Sequence, residues 1–205
     1  MGKFIAIIDY GLGNLCSVNK ALEAVGARPR VTSDSKEIAD ASAIVLPGVG
    51  AFKRAMDNLA RFKVIPAILK AIEEGKPFMG ICLGLQILFT ESEEHGFHKG
   101  LDVIRGKVKK FSSSVKIPHM GWNQIRIQGK KSKIFAGIQD GSYFYFVHSY
   151  YVEPEDKGIV VATTEYGGEF VSAINKKNIW GVQFHPEKSE TLGLKILENF
   201  LHDAI

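Results

Sequence analysis

Three short, almost wholly apolar runs, each closed by a turn and followed by a helical pattern, constrain the fold of this chain most tightly. Phe4-Ile5-Ala6-Ile7-Ile8, Ala43-Ile44-Val45-Leu46 and Phe78-Met79-Gly80-Ile81 show no alternation of polar and apolar residues. Such runs belong in strands buried on both faces. After the first run, glycines at 11 and 13 break the strand and Asn14 can cap a helix. Leu15, Val18, Leu22 and Val25 then recur at helical spacing until Gly26 stops them. Pro47-Gly48-Val49-Gly50 closes the second run, and one or two helices fill 51–74, with Pro66 favouring a break and Gly75 a stop. The third run enters a helical start at 83–88. This β-α-β-α-β-α order predicts a parallel sheet with helices on both faces.

Beyond about residue 100 the texture changes. Segments 122–127, 143–147, 159–164, 170–174 and 179–184 are rich in β-branched and aromatic residues. Turn pairs at Gln128-Gly129, Asp140-Gly141, Gly167-Gly168 and Lys177-Asn178 separate them, as in antiparallel hairpins. A last amphipathic helix is expected over 189–203. The reading is therefore one α/β domain over 1–205, with a mixed, mainly parallel central sheet flanked by helices and added antiparallel strands in the C-terminal half.

Composition excludes more than it identifies. Hydrophobic residues at 45% and charged residues at 23% suit a globular core rather than disorder. The net charge is a modest +4, and lysines fall in small groups (Lys107, Lys109, Lys110; Lys130, Lys131, Lys133) without interleaved stacking aromatics. These read as solvated hairpin edges, not a nucleic-acid surface. No apolar stretch approaches the roughly 18 residues of a membrane span. Two distant cysteines, Cys16 and Cys82, suit a reducing compartment better than a disulfide framework, so a cytoplasmic location is expected.

The chemistry concentrates at Gly80-Ile81-Cys82-Leu83-Gly84, a strand-to-helix junction. A nucleophile on such a turn takes strained backbone angles, and flanking glycines remove the Cβ atoms that would clash. Cys82 would stand at a helix N-terminus, where the dipole favours thiolate over thiol. The Leu83 amide would face an oxyanion formed at an attacked carbonyl. Cys16, inside a helix pattern with no base nearby, reads as structural. In Phe184-His185-Pro186-Glu187 the histidine and glutamate are two apart. An extended segment would put both on one side, giving a base for the thiol proton and a carboxylate to orient it. The turn at 47–50 exposes amides at the carboxyl edge of the sheet, where Val49 and Gly50 can supply the rest of an oxyanion hole. Gly11-Leu12-Gly13 lacks a third glycine and a matched acidic residue, so no nucleotide role is assigned. His95, His98 and His202 show no ligand spacing, and no metal or cofactor is expected.

The oxyanion turn, Gly-x-Cys-x-Gly and His-x-Glu, in that order across the whole chain, resemble the class I (triad) glutamine amidotransferases. The resemblance implies a flavodoxin-like fold and hydrolysis of the glutamine side-chain amide through a cysteine thioester, releasing ammonia. Asp9-Tyr10-Gly11-Leu12-Gly13-Asn14, Pro118-His119-Met120-Gly121-Trp122-Asn123, Phe146-Val147-His148-Ser149-Tyr150 and His185-Pro186-Glu187-Lys188-Ser189 narrow it further. They are similar to a branch whose members are glutaminase subunits of histidine biosynthesis, paired as heterodimers with a (β/α)8-barrel cyclase subunit. On that resemblance Gln86, Glu94 and the main chain at His148, Ser149 and Tyr150 hold glutamine, while Asn14, Met120, Trp122 and Lys188 face the partner. Two alternatives stay open: a stand-alone cysteine hydrolase of γ-glutamyl or peptide bonds, and a non-catalytic partner-binding subunit.

Overall fold

A computed structural model describes residues 3–129 and 132–204. The Lys130-Lys131 pair, expected at a hairpin edge, lies outside the described residues. The chain opens with β1 (Ile5–Ile8), α1 (Leu15–Ala24), β2 (Pro29–Thr32), α2 (Ser35–Asp40) and β3 (Ala43–Gly48). Then come α3 (Phe52–Arg61), α4 (Ile65–Glu73), β4 (Phe78–Cys82), α5 (Leu83–Gln86), β5 (Phe89–Ser92) and β6 (His98–Lys99). The remainder is β7 (Ile104–Lys110), β8 (His119–Gln124), β9 (Arg126–Ile127), β10 (Tyr143–His148), β11 (Tyr150–Pro154), β12 (Val160–Glu165), β13 (Glu169–Lys176), β14 (Ile179–Val182) and α6 (Glu190–Ala204).

Among the described residues twelve strands form one sheet, ordered β2-β1-β3-β4-β14-β13-β11-β7-β5-β6, with β12 and β9 extending from β13. The half from β2 to β14 is parallel throughout. The apolar runs occupy its centre, and their side chains alternate between two cores. Ala6, Ile8, Ile44, Leu46 and Phe78 pack with α2, α3 and α4 on one face. Ile5, Ile7, Ala43, Val45, Met79 and Ile81 pack with α1 and α6 on the other. A strand covered on both sides has no position for a polar side chain, which is why these runs read as unbroken hydrophobics.

Several local expectations are revised. Asn14 makes no side-chain cap on α1, whereas Asp34, unremarked in the sequence, caps α2 by accepting from Lys36 N at 2.7 Å and Glu37 N at 3.0 Å. Strand β2 escaped notice because it is the sheet edge, with Arg30 and Val31 exposed and no apolar run to announce it. Segment 179–184 was expected within antiparallel hairpins; β14 does pair antiparallel with β13, but its other side pairs parallel with β4. The helical start at 83–88 is a single turn, α5, after which the chain enters β5.

The junction of β4 and α5 depends on three close approaches. A Cβ on Gly84 would overlap the Leu46 carbonyl oxygen of β3. One on Gly80 would lie 2.7 Å from the Gly84 carbonyl, and one on Gly48 would lie 2.6 Å from the Tyr10 hydroxyl. Contacts this short force backbone to move. Replacing Gly84 with alanine is expected to destabilise the fold by about 3 kcal/mol or more, measured as a drop in the urea midpoint. The same change at the open Gly129, which has nothing within 4 Å of the added Cβ, meets only the strain of its positive φ and is expected to cost about 1 kcal/mol.

Candidate active site

Cys82 ends β4 with φ 54° and ψ −109°, a conformation rare for a residue bearing a side chain. It is held there because β4 pairs with β3 up to Gly48 opposite Cys82, while the next turn must fold back over β3. Cys82 is buried at 6% exposure and lines a cavity at this edge of the sheet. With α5 just one turn long, little macrodipole acts on the sulfur, and its environment is set by individual groups instead.

Those groups come from the distant C-terminal segment. His185 Nδ1 lies 2.8 Å from Glu187 Oε1, with the two side chains 2% and 1% exposed. The expected extended backbone stops at His185; Pro186–Lys188 forms a 3₁₀ turn, and that turn brings the carboxylate back to the ring. A carboxylate on Nδ1 fixes the tautomer and leaves Nε2 toward the sulfur. Among the described residues His185 Nε2 makes no close hydrogen bond, yet the ring faces Cys82 and feels its charge. Burial opposes the imidazolium, but the Cys82 thiolate and Glu187 together outweigh it and hold the His185 pKa up at about 10. The geometry thus favours a protonated His185 facing the sulfur. Asn14 Nδ2 also reaches Glu187 Oε1 at 3.5 Å, so the residue assigned to a partner surface touches this acid directly.

A cavity of about 240 Å³ opens over the sulfur, lined by Val49, Gly50, Leu83, Gln86, Glu94 and His185, with residues 147–150 along one wall. The structure thus brings together the residues assigned to the nucleophile, base, acid, oxyanion turn and substrate. Two of them are already engaged. Gln86 Nε2 donates to Tyr150 O at 2.8 Å and to Gln183 Oε1 at 3.0 Å, leaving its oxygen as the free hydrogen-bonding atom. One oxygen of Glu94 accepts from the Phe52 amide at the start of α3.

Two residues not singled out from sequence also sit here. The Tyr10 hydroxyl donates to Pro47 O at 2.9 Å, under the 47–50 turn, and burial with the nearby Cys82 charge raises its pKa. Gln183 Nε2 lies 3.5 Å from Cys82 Sγ. The available sequence signal is its position two residues before His185, on the same side of an extended chain.

Beside the cavity, β8 and β10 form a separate antiparallel ribbon. Along β8 Met120 and Trp122 point outward, 62% and 47% exposed, while His119 and Asn123 point inward. Trp122 meets Tyr145 edge-on at 6.2 Å, and exposed Lys188 lies 5.8 Å over the Tyr145 ring. Three of the four residues assigned to a partner surface therefore share one exposed patch. Inside the ribbon, His119 Nδ1 contacts His148 Nε2 at 3.0 Å and His148 Nδ1 contacts Tyr150 O at 2.8 Å. His119 also stacks between Tyr166 at 4.0 Å and Phe146 at 5.0 Å.

The family model for glutamine amidotransferase class-I matches residues 6–204. This chain belongs to the class I glutamine amidotransferases. Within that family it is 53% identical to the imidazole glycerol phosphate synthase subunit HisH of Syntrophotalea carbinolica, over 96% of this chain and 98% of the relative. The HisH subunit of Aquifex aeolicus is also 53% identical, over 97% and 96%, and that of Methanocaldococcus jannaschii 52%, over 96% and 98%. Among solved structures, PurLQS from Thermotoga maritima aligns with a TM-score of 0.77 at 23% identity, over 99% of both chains. The glutaminase domain of Trypanosoma brucei CTPS aligns at 0.69 and 18%, over 99% of this chain and 94% of that one. These structural likenesses show that the amidotransferase fold spans this chain.

The two histidines inside the ribbon give a pH prediction. Burial lowers the pKa of His119 to about 4, and burial, foremost, lowers that of His148 to about 3, both from 6.5. The unfolded chain therefore binds more protons than the folded one below pH 6.5, and stability falls as pH drops from 6.5 toward 4. In His119→Gln the thermal midpoint at neutral pH is expected to be lower but to fall less between about pH 7 and 4.5 than in the parent, as scanning calorimetry at matched ionic strength would measure.

Proposed function

We propose that this chain is the glutaminase subunit of an imidazole glycerol phosphate synthase in histidine biosynthesis, a cytoplasmic enzyme releasing ammonia from glutamine for a (β/α)8-barrel cyclase subunit. The observation that carries this reading is identity of about half the residues, across nearly the full length, to curated HisH subunits from bacteria and an archaeon. The cavity, the Cys82–His185–Glu187 geometry and the exposed patch on β8 support it.

In the proposed reaction the Cys82 thiolate attacks the carboxamide carbon of glutamine, and the electron pair moves onto the carbonyl oxygen. The Leu83 amide and the turn at Val49 and Gly50 hold that oxyanion. It collapses as the C–N bond breaks, and the His185 imidazolium gives its proton to the departing nitrogen, releasing ammonia. Water, deprotonated by His185, then cleaves the thioester to glutamate and frees the thiolate. Glu187 keeps the ring oriented and its charge compensated through both halves. Glu94 would take the substrate ammonium, Gln86 Oε1 one of its N–H groups, and the main chain at 148–150 the remaining polar atoms.

The turn supplying the second oxyanion donor is tethered at both ends, by Tyr10 to Pro47 and by Glu94 to Phe52. Between them Gly50 has φ 95° and open space around it. Its amides can therefore reorient while both ends stay fixed, and a partner docked on Met120, Trp122, Asn14 and Lys188 can bias that choice.

The test is glutaminase turnover of the purified chain, alone and with a cyclase-type barrel subunit and its nucleotide ligand. Turnover is expected to rise roughly tenfold to a hundredfold in the complex, and Cys82→Ala to lower it by about a thousandfold or more. An electrophilic glutamine analogue should label Cys82 and spare Cys16. Turnover equally fast without the barrel would overturn the gated-subunit reading and favour a stand-alone hydrolase. Ammonia transfer unchanged in Cys82→Ala would favour a non-catalytic subunit.

A further inference from the structure

Gln183 is completely buried, and among the described residues its polar contacts are with Gln86, Cys82 and Ser172. The parallel register that sets Val182 beside Ile81 brings the next residues, Gln183 and Cys82, level with each other. Its main-chain N–H is fixed on Ser172 O at 2.9 Å, so the side chain leaves the backbone from a rigid point. Its Nε2 then lies 3.5 Å from Cys82 Sγ and its Oε1 accepts from Gln86 Nε2 at 3.0 Å.

The direction of that amide is forced. Tyr150 O accepts only, so the atom of Gln86 facing it at 2.8 Å must be the nitrogen. The second proton of that nitrogen needs an acceptor, which turns the Gln183 oxygen toward Gln86 and its nitrogen toward the sulfur. His148 Nδ1 lies 2.8 Å from the same Tyr150 carbonyl oxygen. Cys82 therefore meets an N–H donor it cannot exchange for an acceptor without leaving a buried polar atom unpaired. A donor aimed at sulfur favours the thiolate over the thiol.

We infer that Gln183 is a positioning residue for the nucleophile: its amide N–H holds the Cys82 thiolate, and its oxygen ties that thiolate to Gln86 on the cavity wall. Given the glutaminase reading, Gln86 offers its remaining oxygen to substrate, and so one pair of side-chain amides joins the substrate pocket to the attacking atom. The other groups at the sulfur are the His185 imidazolium backed by Glu187, the buried Tyr10 phenol, and the Val147 carbonyl oxygen at 3.9 Å, which can accept from the thiol but offers nothing to the thiolate.

The experiment uses the full chain with Cys16→Ser, so that a single thiol reports, and follows iodoacetamide alkylation of Cys82 against pH. In Gln183→Met, which keeps length and removes the donor, alkylation near neutral pH is expected to fall about tenfold. It should converge on the parent rate at alkaline pH, where the thiolate no longer needs a donor. Superimposable profiles in a variant with native circular dichroism would overturn the inference. A second measurement covers a variant that fails to fold. In the parent, the ¹⁵N side-chain amide resonance of Gln183 is expected to shift with pH at the alkylation midpoint, and a resonance that ignores Cys82 ionisation would overturn it. Alkylation that responds to Gln183→Met, with no labelling of Cys82 by a glutamine analogue, would keep the role of Gln183 and remove the glutaminase reading.

Discussion

The site depends on the backbone of α5 lying directly against β3. Gly84 meets the Leu46 carbonyl so closely that no side chain fits between them, and Gly80 leaves room for the same turn on the β4 side. Because the chain must reverse within that space, Cys82 takes a positive φ, and its side chain, though packed at the margin of one core, also lines the cavity. Gly48, pressed between the Tyr10 hydroxyl and Leu83 Cβ, brings the end of β3 into the same corner. The nucleophile, the oxyanion turn and the tethers on that turn thus share one steric origin. Strain at the cysteine persists because the surrounding sheet over-determines it.

Electrostatics then separates two kinds of buried histidine at or beside the cavity. His185, His119 and His148 all lose hydration, and desolvation alone drives each toward the neutral ring. His185 differs because a carboxylate and a thiolate face it, and their combined attraction exceeds the desolvation penalty. Among the described residues no carboxylate or thiolate faces His119 and His148; they meet each other, aromatic rings, an amide and a main-chain carbonyl, and the His185 charge further opposes protonation of His148. Their chain of hydrogen bonds runs from Asn123, which donates to His119 Nε2 at 3.2 Å, to the carbonyl that also orients Gln86. The inward side of the exposed ribbon is in this way continuous with the wall of the cavity.

What was legible followed from patterns that tolerate few alternatives. Unbroken apolar runs require burial on both faces, so β1, β3 and β4 could be read directly, and a cysteine between glycines after such a run could be read as an elbow. Elements lacking a strong pattern were missed: β2 because an edge strand exposes half of itself, and α2 because six residues carry too short a period. The length of α5 was misjudged because Leu85, Ile87 and Leu88 are apolar in either state. Burial in the core shared with α2, α3 and α4 decided their course, with Ile87 and Leu88 leading out of the helix into β5.

The sequence by itself determined the chemistry available: one cysteine on a strained turn, a histidine and a glutamate two residues apart, and a glycine-rich turn at a strand end. Those properties are local, set by φ, ψ and spacing over a few residues. Tertiary structure alone decided which of these groups meet, and through which atoms. The parallel pairing of β14 with β4, set by sheet-wide burial, carries His185 and Gln183 a hundred residues along the chain to Cys82. It also decided which amide atoms face the sulfur and which face the cavity, because a buried donor must find an acceptor and only the assembled fold supplies one.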